Sequence, residues 1–479
     1  MDRNREKKLI KNTGILAIGQ LSSKIFTFFL LPLYTMVLVP DDYGTVDMLQ
    51  TVISLILYLL TLQIESAVFR FLIESRSNQE QQRKYITSGI IVVSLSASLF
   101  TVGVIIVSLF FNIPYLLLFI LALWAQAFYF FLSSVARGMG NNFSYSVASF
   151  LVVISSLMIN IFLILGAHLG AQSILIALIV SNIIGGFFLL IKEKLYHIFS
   201  ISSFSKIEVK KMLSYSIPLI PNAVSWWIAN ASDRLLILAF LGASMNGIYA
   251  AANKIPTIYT TIFSVFNLAW SESVSLSMSD KDKAEYINGV MNRSYKFFSF
   301  INLGIICSMS LVFDFLIGPD YSYAYGHVYI LLIAIFFNSM CSLLGGVLTG
   351  FKDSKAIGAT TVMGAIVNII LNLIMIKQIG LYAASISTLI SYVLIYLFRK
   401  NAVCKHIKYK LSIRFSIQLI FITMLVTTGY FIRNYIFNIV ILFVLIVWGI
   451  VNNREMIMPI LKRIKKKNPK CNYNMKTNL

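Results

Sequence analysis

Three cations lie where a lipid bilayer would surround them: Lys24, Arg234 and Lys254 each fall inside a long apolar run. An ionisable side chain at that depth costs about 2.5–3.5 kcal/mol on insertion scales, so it faces a wet cavity or a partner. Few anions lie equally deep. Asp47 stands toward the outer end of its run, Glu65 toward the inner end and Asp233 beside Arg234. An excess of buried positive charge suits an anionic ligand, and the carboxylates are candidates for coupling to H⁺ or Na⁺. Gln20, Trp226, Asn230 and Asn253 occupy neighbouring helical positions and are the expected polar lining. The four histidines fall in loops and the four cysteines show no CxxC pair, so no metal site and no disulfide framework is indicated.

These residues sit in a chain that water alone does not accommodate. With 58% apolar and 12% charged residues and a mean hydropathy of +0.80, its runs of about 20–28 apolar residues each cross a hydrocarbon core of about 30 Å. The reading is an all-α polytopic membrane protein of about 14 transmembrane helices. The spans fall near 13–39, 45–72, 86–111, 114–137, 144–167, 171–191, 211–241, 246–271, 294–317, 327–350, 357–376, 380–398, 412–431 and 434–451.

Placing the N-terminus in the cytoplasm puts all but five of the 40 Lys and Arg on the inner side. The exceptions are the three intramembrane cations together with Lys377 and Arg433. That asymmetry argues for both termini inside and accounts for the net charge of +21 without nucleic acid. The tail KRIKKKNPK is a topology anchor that also suits anionic membrane lipid. No outer loop is long enough for a catalytic domain, and no Gly-rich phosphate loop opens any helix. The chain reads as a transporter rather than an enzyme.

An offset of 206 residues relates the second span to the eighth. Tyr43, Asp47, Thr51, Ser54, Tyr58, Thr61 and Glu65 map onto Tyr249, Asn253, Thr257, Thr260, Ser264, Asn267 and Ser271, polar at every position and on one helical face. The same offset takes Gln20 to Trp226, Lys24 to Asn230 and Thr27 to Asp233. Six spans per half make this a parallel repeat. The expectation is two pseudo-symmetric six-helix lobes, 1–200 and 201–400, around a central cavity, then two further helices over 401–452 and a basic cytoplasmic tail over 453–479. A repeat that supplies both halves of a cavity predicts a monomer. For each stripe the plainer alternative is interhelical hydrogen bonding; for Lys254 it is snorkelling, and for Asp47 and Glu65 a helix-end role.

The stretch YSIPLIPNAVSWWIANASDRLLILAFLGASMNGIYAAANKIP (215–256) resembles the Wzx-type polysaccharide-transport flippases of the multidrug/oligosaccharidyl-lipid/polysaccharide exporter superfamily. Its proline-rich entry, Ser-Asp-Arg and Gly-x-Tyr followed by Ala-x-Lys carry the likeness. NTGILAIGQLSSKIFTFFLLPLYTMVLVPDDYG (12–44), with its Asp-x-Tyr-Gly, looks like the same family's opening. The resemblance implies a MATE-like fold in a bacterial cytoplasmic membrane. It also implies translocation of polyprenyl-diphosphate-linked oligosaccharide for capsule, O-antigen or exopolysaccharide assembly, beside a polysaccharide polymerase and its assembly machinery. On this reading Lys24, Arg234 and Lys254 hold the diphosphate or acidic sugar, and Asp233, Glu65 or Asp47 couples an ion. A peptidoglycan-precursor flippase and a multidrug exporter of the same superfamily remain open. A membrane polysaccharide polymerase is disfavoured by the short outer loops.

Overall fold

The computed structural model describes residues 29–278 and 280–454. Among these the chain is helical throughout and contains no strand. Among the described residues, eleven helices are long and apolar enough to cross a membrane. The expected total of about 14 is not reached among the described residues, because most of the first expected span precedes residue 29. The helices Ile220–Leu241 and Ala243–Ser277, the second of which carries the repeated polar stripe, lie outside the eleven. The chain separates into two compact units. Unit 1 comprises residues 1–258, 316–324 and 369–384; unit 2 comprises 259–315, 325–368 and 385–479.

In unit 1, α1 (29–37) leads through Val39 into α2 (Pro40–Leu60), where Pro40 takes a first-turn position that needs no N–H donor. α3 (Ile64–Glu74), α4 (Gln79–Ser108), α5 (Leu116–Gly138), α6 (Asn142–Ile161) and α7 (Gln172–Lys192) follow. The Asn78 side chain caps α4 by accepting from the Gln81 amide at 3.0 Å. α7 packs on both α5 and α6. A Cβ at Gly185 would run into Val152 and Tyr129, so the glycine sets how closely these helices approach. The outer faces stay apolar, with Leu95, Leu99, Phe143 and Phe162 all exposed, as helices that meet lipid require.

The span expected as one helix over 45–72 is two. Leu62 and Gln63 both adopt left-handed φ, at 52° and 55°. The Thr61 hydroxyl donates to the Leu57 carbonyl at 2.9 Å and accepts from the Gln63 amide at 3.3 Å, taking over the hydrogen bonding of the broken turn. The expected span 211–241 is also interrupted. After α8 (Leu195–Ile198), α9 (Lys206–Ser216) passes through a tight turn at Ile217–Leu219 into α10 (Ile220–Leu241). Pro218 and Pro221 account for the change, because each lacks an N–H.

α11 (Ala243–Ser277) starts in unit 1 and continues into unit 2. Its core there joins Tyr259, Phe263, Trp270 and Val274 to α12 (Lys283–Leu316), α13 (Ala324–Gly350) and the end of α15 (Tyr382–Cys404). Trp270 donates from Nε1 to the Leu343 carbonyl at 2.9 Å. Its indole lies against Gly346, where a side chain would not fit. Arg399, on α15, is buried with every nitrogen engaged. Its Nε and Nη2 donate to Thr360 and Thr361 of α14 (Ser354–Ile379), and its Nη1 donates to the Cys341 carbonyl. A buried guanidinium satisfied in this way binds three helices together. α16 (Ile413–Ile432) and α17 (Tyr435–Asn452) pack on each other through Gly429, which lies under Ile441.

Candidate functional site

The site is built in unit 1, on the crossing of α2 with α10 and with the first turns of α11. α2 and α11 cross at Gly44 and Gly247, where a Cβ on either residue would overlap the other helix's backbone. Asn246 pins the crossing by donating from Nδ2 to the Gly44 carbonyl at 2.9 Å. Close approach of this kind needs glycine on both sides. It brings Asp47, one turn along α2, near Lys254, two turns along α11.

α10 runs antiparallel to α2. Trp227 donates from Nε1 to the Thr51 carbonyl at 3.1 Å and the Ser54 hydroxyl at 3.0 Å. Two turns later Arg234 meets the same stripe. Its Nη1 donates to Thr51 Oγ1 at 2.8 Å and stands 3.0 Å from Asp47 Oδ2. The aligned hydrogen bond goes to the threonine, while the contact with Asp47 is charge against charge. Asp47 is 5% exposed and Arg234 26%, so water screens the pair only in part.

Lys254 lines a cavity of about 270 Å³ together with Asp47, Tyr43, Gln50, Gln126 and Asn160. The charges of Asp47 and Arg234 both act on it, yet no ion pair within 4.0 Å engages it among the described residues. The Tyr43 hydroxyl and Asn160 Oδ1 are buried without a hydrogen-bond partner. With one anion against two cations, Asp47, Arg234 and Lys254 carry a formal charge of +1. Such a cavity can take a hydrogen-bonding anion: Lys254 supplies the charge, and the amides and the phenol supply donors.

Asp233, next to Arg234 in sequence, faces elsewhere. It accepts from the Tyr249 hydroxyl at 3.1 Å and from Asn372 Nδ2 of α14 at 3.0 Å. Asn253 donates back to the Tyr249 carbonyl on its own helix at 2.9 Å and is not among the residues lining the Lys254 cavity. Glu65 lies on α3, past the helix break, and lines a different cavity. Lys24 and Gln20 lie outside the described residues, as do the side chains of Trp226 and Asn230.

Several contributors carry no strong signal in the sequence. Thr51 belongs to the polar stripe, but Trp227, which donates to it, does not stand out, because nothing in the Trp226-Trp227 pair says which indole faces α2. Asn372 lies in a mostly apolar stretch of α14, where Asn368 and Asn372 at i, i+4 are the hint of a polar face.

With this geometry established, comparison with known proteins places the chain. Residues 9–271 match the model of the polysaccharide biosynthesis protein family, more than half of the chain. The chain belongs to that family. No curated relative matches it.

Solved structures share its fold. The lipid II flippase MurJ, in an inward closed conformation, aligns with a TM-score of 0.69 at 15% identity over 92% of this chain and 99% of MurJ. A multidrug resistance MATE family transporter of the MOP superfamily, inward-facing, aligns at 0.67 and 13% identity over 81% of this chain and 98% of the transporter. A mutant of the Vibrio cholerae MATE transporter VcmN aligns at 0.54 and 12% identity, covering 83% of this chain and 97% of the transporter. At these identities the likeness establishes the fold. This member of the polysaccharide biosynthesis family is thus a multi-pass membrane protein of MATE/MurJ-like architecture, the fold expected from its sequence.

Proposed function

We propose that this family member is a flippase. Its cargo is a polyprenyl-diphosphate-linked oligosaccharide, carried by alternating access across a bacterial cytoplasmic membrane for capsule, O-antigen or exopolysaccharide assembly. The observation that carries the reading is Lys254, without an ion pair among the described residues, facing a polar cavity inside an apolar helical unit. A buried ammonium needs an anion, and the family match supplies a reason for that anion to belong to a lipid-linked sugar.

In this reading Lys254 holds the diphosphate or an acidic sugar, and Arg234 sets the local potential from its place against Asp47. Lys24 joins them by charge and position in the sequence. Asp47 and Asp233 are the coupling carboxylates for H⁺ or Na⁺; Glu65 stands apart in its own cavity. The protein acts as a monomer with both termini cytoplasmic. Its lobes are 1–200 and 201–400, its added helices lie over 401–452 and its basic tail over 453–479. It works beside a polysaccharide polymerase and its assembly machinery.

The MurJ likeness makes a peptidoglycan precursor the second reading. A multidrug exporter is less well supported, because organic cations do not suit a cluster of net positive charge. The deciding experiment deletes the gene in its host and measures surface polymer together with the cytoplasmic pool of lipid-linked oligosaccharide. Complementation then uses wild type, Lys254→Ala, Arg234→Ala and Lys24→Ala. Loss of polymer with accumulation of the lipid-linked unit, unrescued by well-expressed Lys254→Ala, is the expected result. Normal polymer in the deletion strain, or full rescue by every variant, would overturn the assignment.

A further inference from the structure

A second polar cavity of about 330 Å³ lies in unit 1, among α3, α5 and α6. Two opposite charges line it. Glu65, 2% exposed, stands in the first turn of α3, directly after the left-handed break at Leu62 and Gln63. Its Oε2 is buried with no hydrogen-bond partner among the described residues. Arg137, near the end of α5, has a buried Nε without a partner. Its guanidinium carbon is 4.9 Å from the centre of the Phe69 ring and 5.1 Å from that of Tyr145. No ion pair within 4.0 Å joins the two residues, although both face the same space. Hydroxyls of Ser66 and Ser134 complete a polar wall.

Glu65 Oε2 and Arg137 Nε are each enclosed without a hydrogen bond among the described residues, an arrangement that favours a ligand able to answer both. A cation alone would leave Arg137 unanswered, and an anion alone would leave Glu65. The rings on Arg137 occupy guanidinium faces, which leaves its N–H edges for an acceptor. A planar fork of this kind matches phosphate geometry.

We propose that this cavity binds a zwitterion of the phosphoethanolamine type, its ammonium against Glu65 and its phosphate against Arg137. The ligand is either the headgroup of a zwitterionic phospholipid or a free phosphoethanolamine. On the orientation proposed from the distribution of Lys and Arg, these helix ends face the cytoplasmic leaflet. The site is separate from the Lys254 cavity and independent of the cargo.

The test uses the full-length protein in nanodiscs of phosphatidylglycerol alone or mixed equally with phosphatidylethanolamine, with bound lipid counted by native mass spectrometry. Thermal stability is measured in parallel with added phosphoethanolamine. Wild type is expected to retain phosphatidylethanolamine over phosphatidylglycerol by about tenfold, about 1.4 kcal/mol of preference. Glu65→Gln should abolish the preference while keeping phosphate-dependent retention, and Arg137→Lys should weaken retention of both lipids. Ser134→Leu, which keeps both charges and fills the space, should abolish binding; it decides the matter if a charge variant fails to fold. Stabilisation by free phosphoethanolamine without a lipid preference would assign the soluble source. No preference in either arm, or a preference that survives Glu65→Gln and Ser134→Leu, would overturn the proposal and leave the cavity to water.

Discussion

Arg234 Nη1 stands 3.0 Å from Asp47 Oδ2 while donating to the Thr51 hydroxyl one turn further along the same helix. The pair ties α10 to α2 and removes part of the positive charge that the Lys254 cavity would otherwise carry. Asp47→Asn and Arg234→Gln should each destabilise the protein, since the first leaves a half-buried guanidinium and the second a buried carboxylate without its partner. The double variant should lose less than the sum, with a coupling of about 1–3 kcal/mol. Thermal unfolding of all four proteins in one detergent closes the cycle; strict additivity would mean that the contact contributes nothing.

Lys254 has the opposite character, charged and with no ion pair among the described residues. Lys254→Gln keeps length and polarity but removes the charge, so folding should survive while transport of an anionic substrate falls by about tenfold or more, a loss of about 1.4 kcal/mol. Lys254→Arg should retain a measurable part of it. Surface polymer in the complemented deletion strain, normalised to membrane expression, reads both. Full activity in Lys254→Gln would remove the ammonium from the site.

How much of this was legible beforehand depends on whether a feature is local or relational. The helices over 79–192 follow from apolar runs alone. Arg234, Lys254 and Asp47 are conspicuous because charge inside such a run is costly whatever surrounds it. The break at Leu62 and Gln63 left no mark, since neither residue is glycine or proline and the polar stripe continues across it. Asn372 is recognisable as a partner only once α14 is seen beside Asp233. Gly44 and Gly247 fall in the Asp-x-Tyr-Gly and Gly-x-Tyr motifs, which do not say what the two glycines do. Their meaning lies in a crossing of chain segments about two hundred residues apart, which no local pattern encodes.

That crossing gives a sharp expectation. Gly44→Ala or Gly247→Ala places a methyl group inside the facing helix's backbone, which cannot rotate aside as a side chain would. Each should cost at least about 1–3 kcal/mol and separate Asp47 from Lys254. The expected result is a lowered midpoint and a broadened size-exclusion peak. Gly103→Ala on α4, with nothing within 4 Å of the new Cβ, is the control and should be neutral or slightly stabilising. Equal behaviour of all three would mean that α2 and α11 do not approach through these glycines.

Acid sensitivity should have a traceable source at the loop between α13 and α14. Asp353 accepts from His406 Nε2 at 3.2 Å and from the Ala356 amide at 3.1 Å, and the His406 ring stacks on Phe351. The His406 hydrogen bond, followed by the Ala356 amide, holds the Asp353 carboxyl below its usual range. A carboxyl whose folded value is depressed binds its proton more weakly folded than unfolded. Its contribution is therefore complete above the unfolded value of about 3.9 and is lost as pH falls through the folded one. Asp353→Asn should lower the unfolding midpoint slightly at pH 6, and the gap from wild type should close below about pH 4. Because the carboxyl is open to solvent, high salt should narrow the gap as well. A gap that stays constant from pH 6 to pH 3 would show that Asp353 acts through its neutral hydrogen bonds rather than its charge.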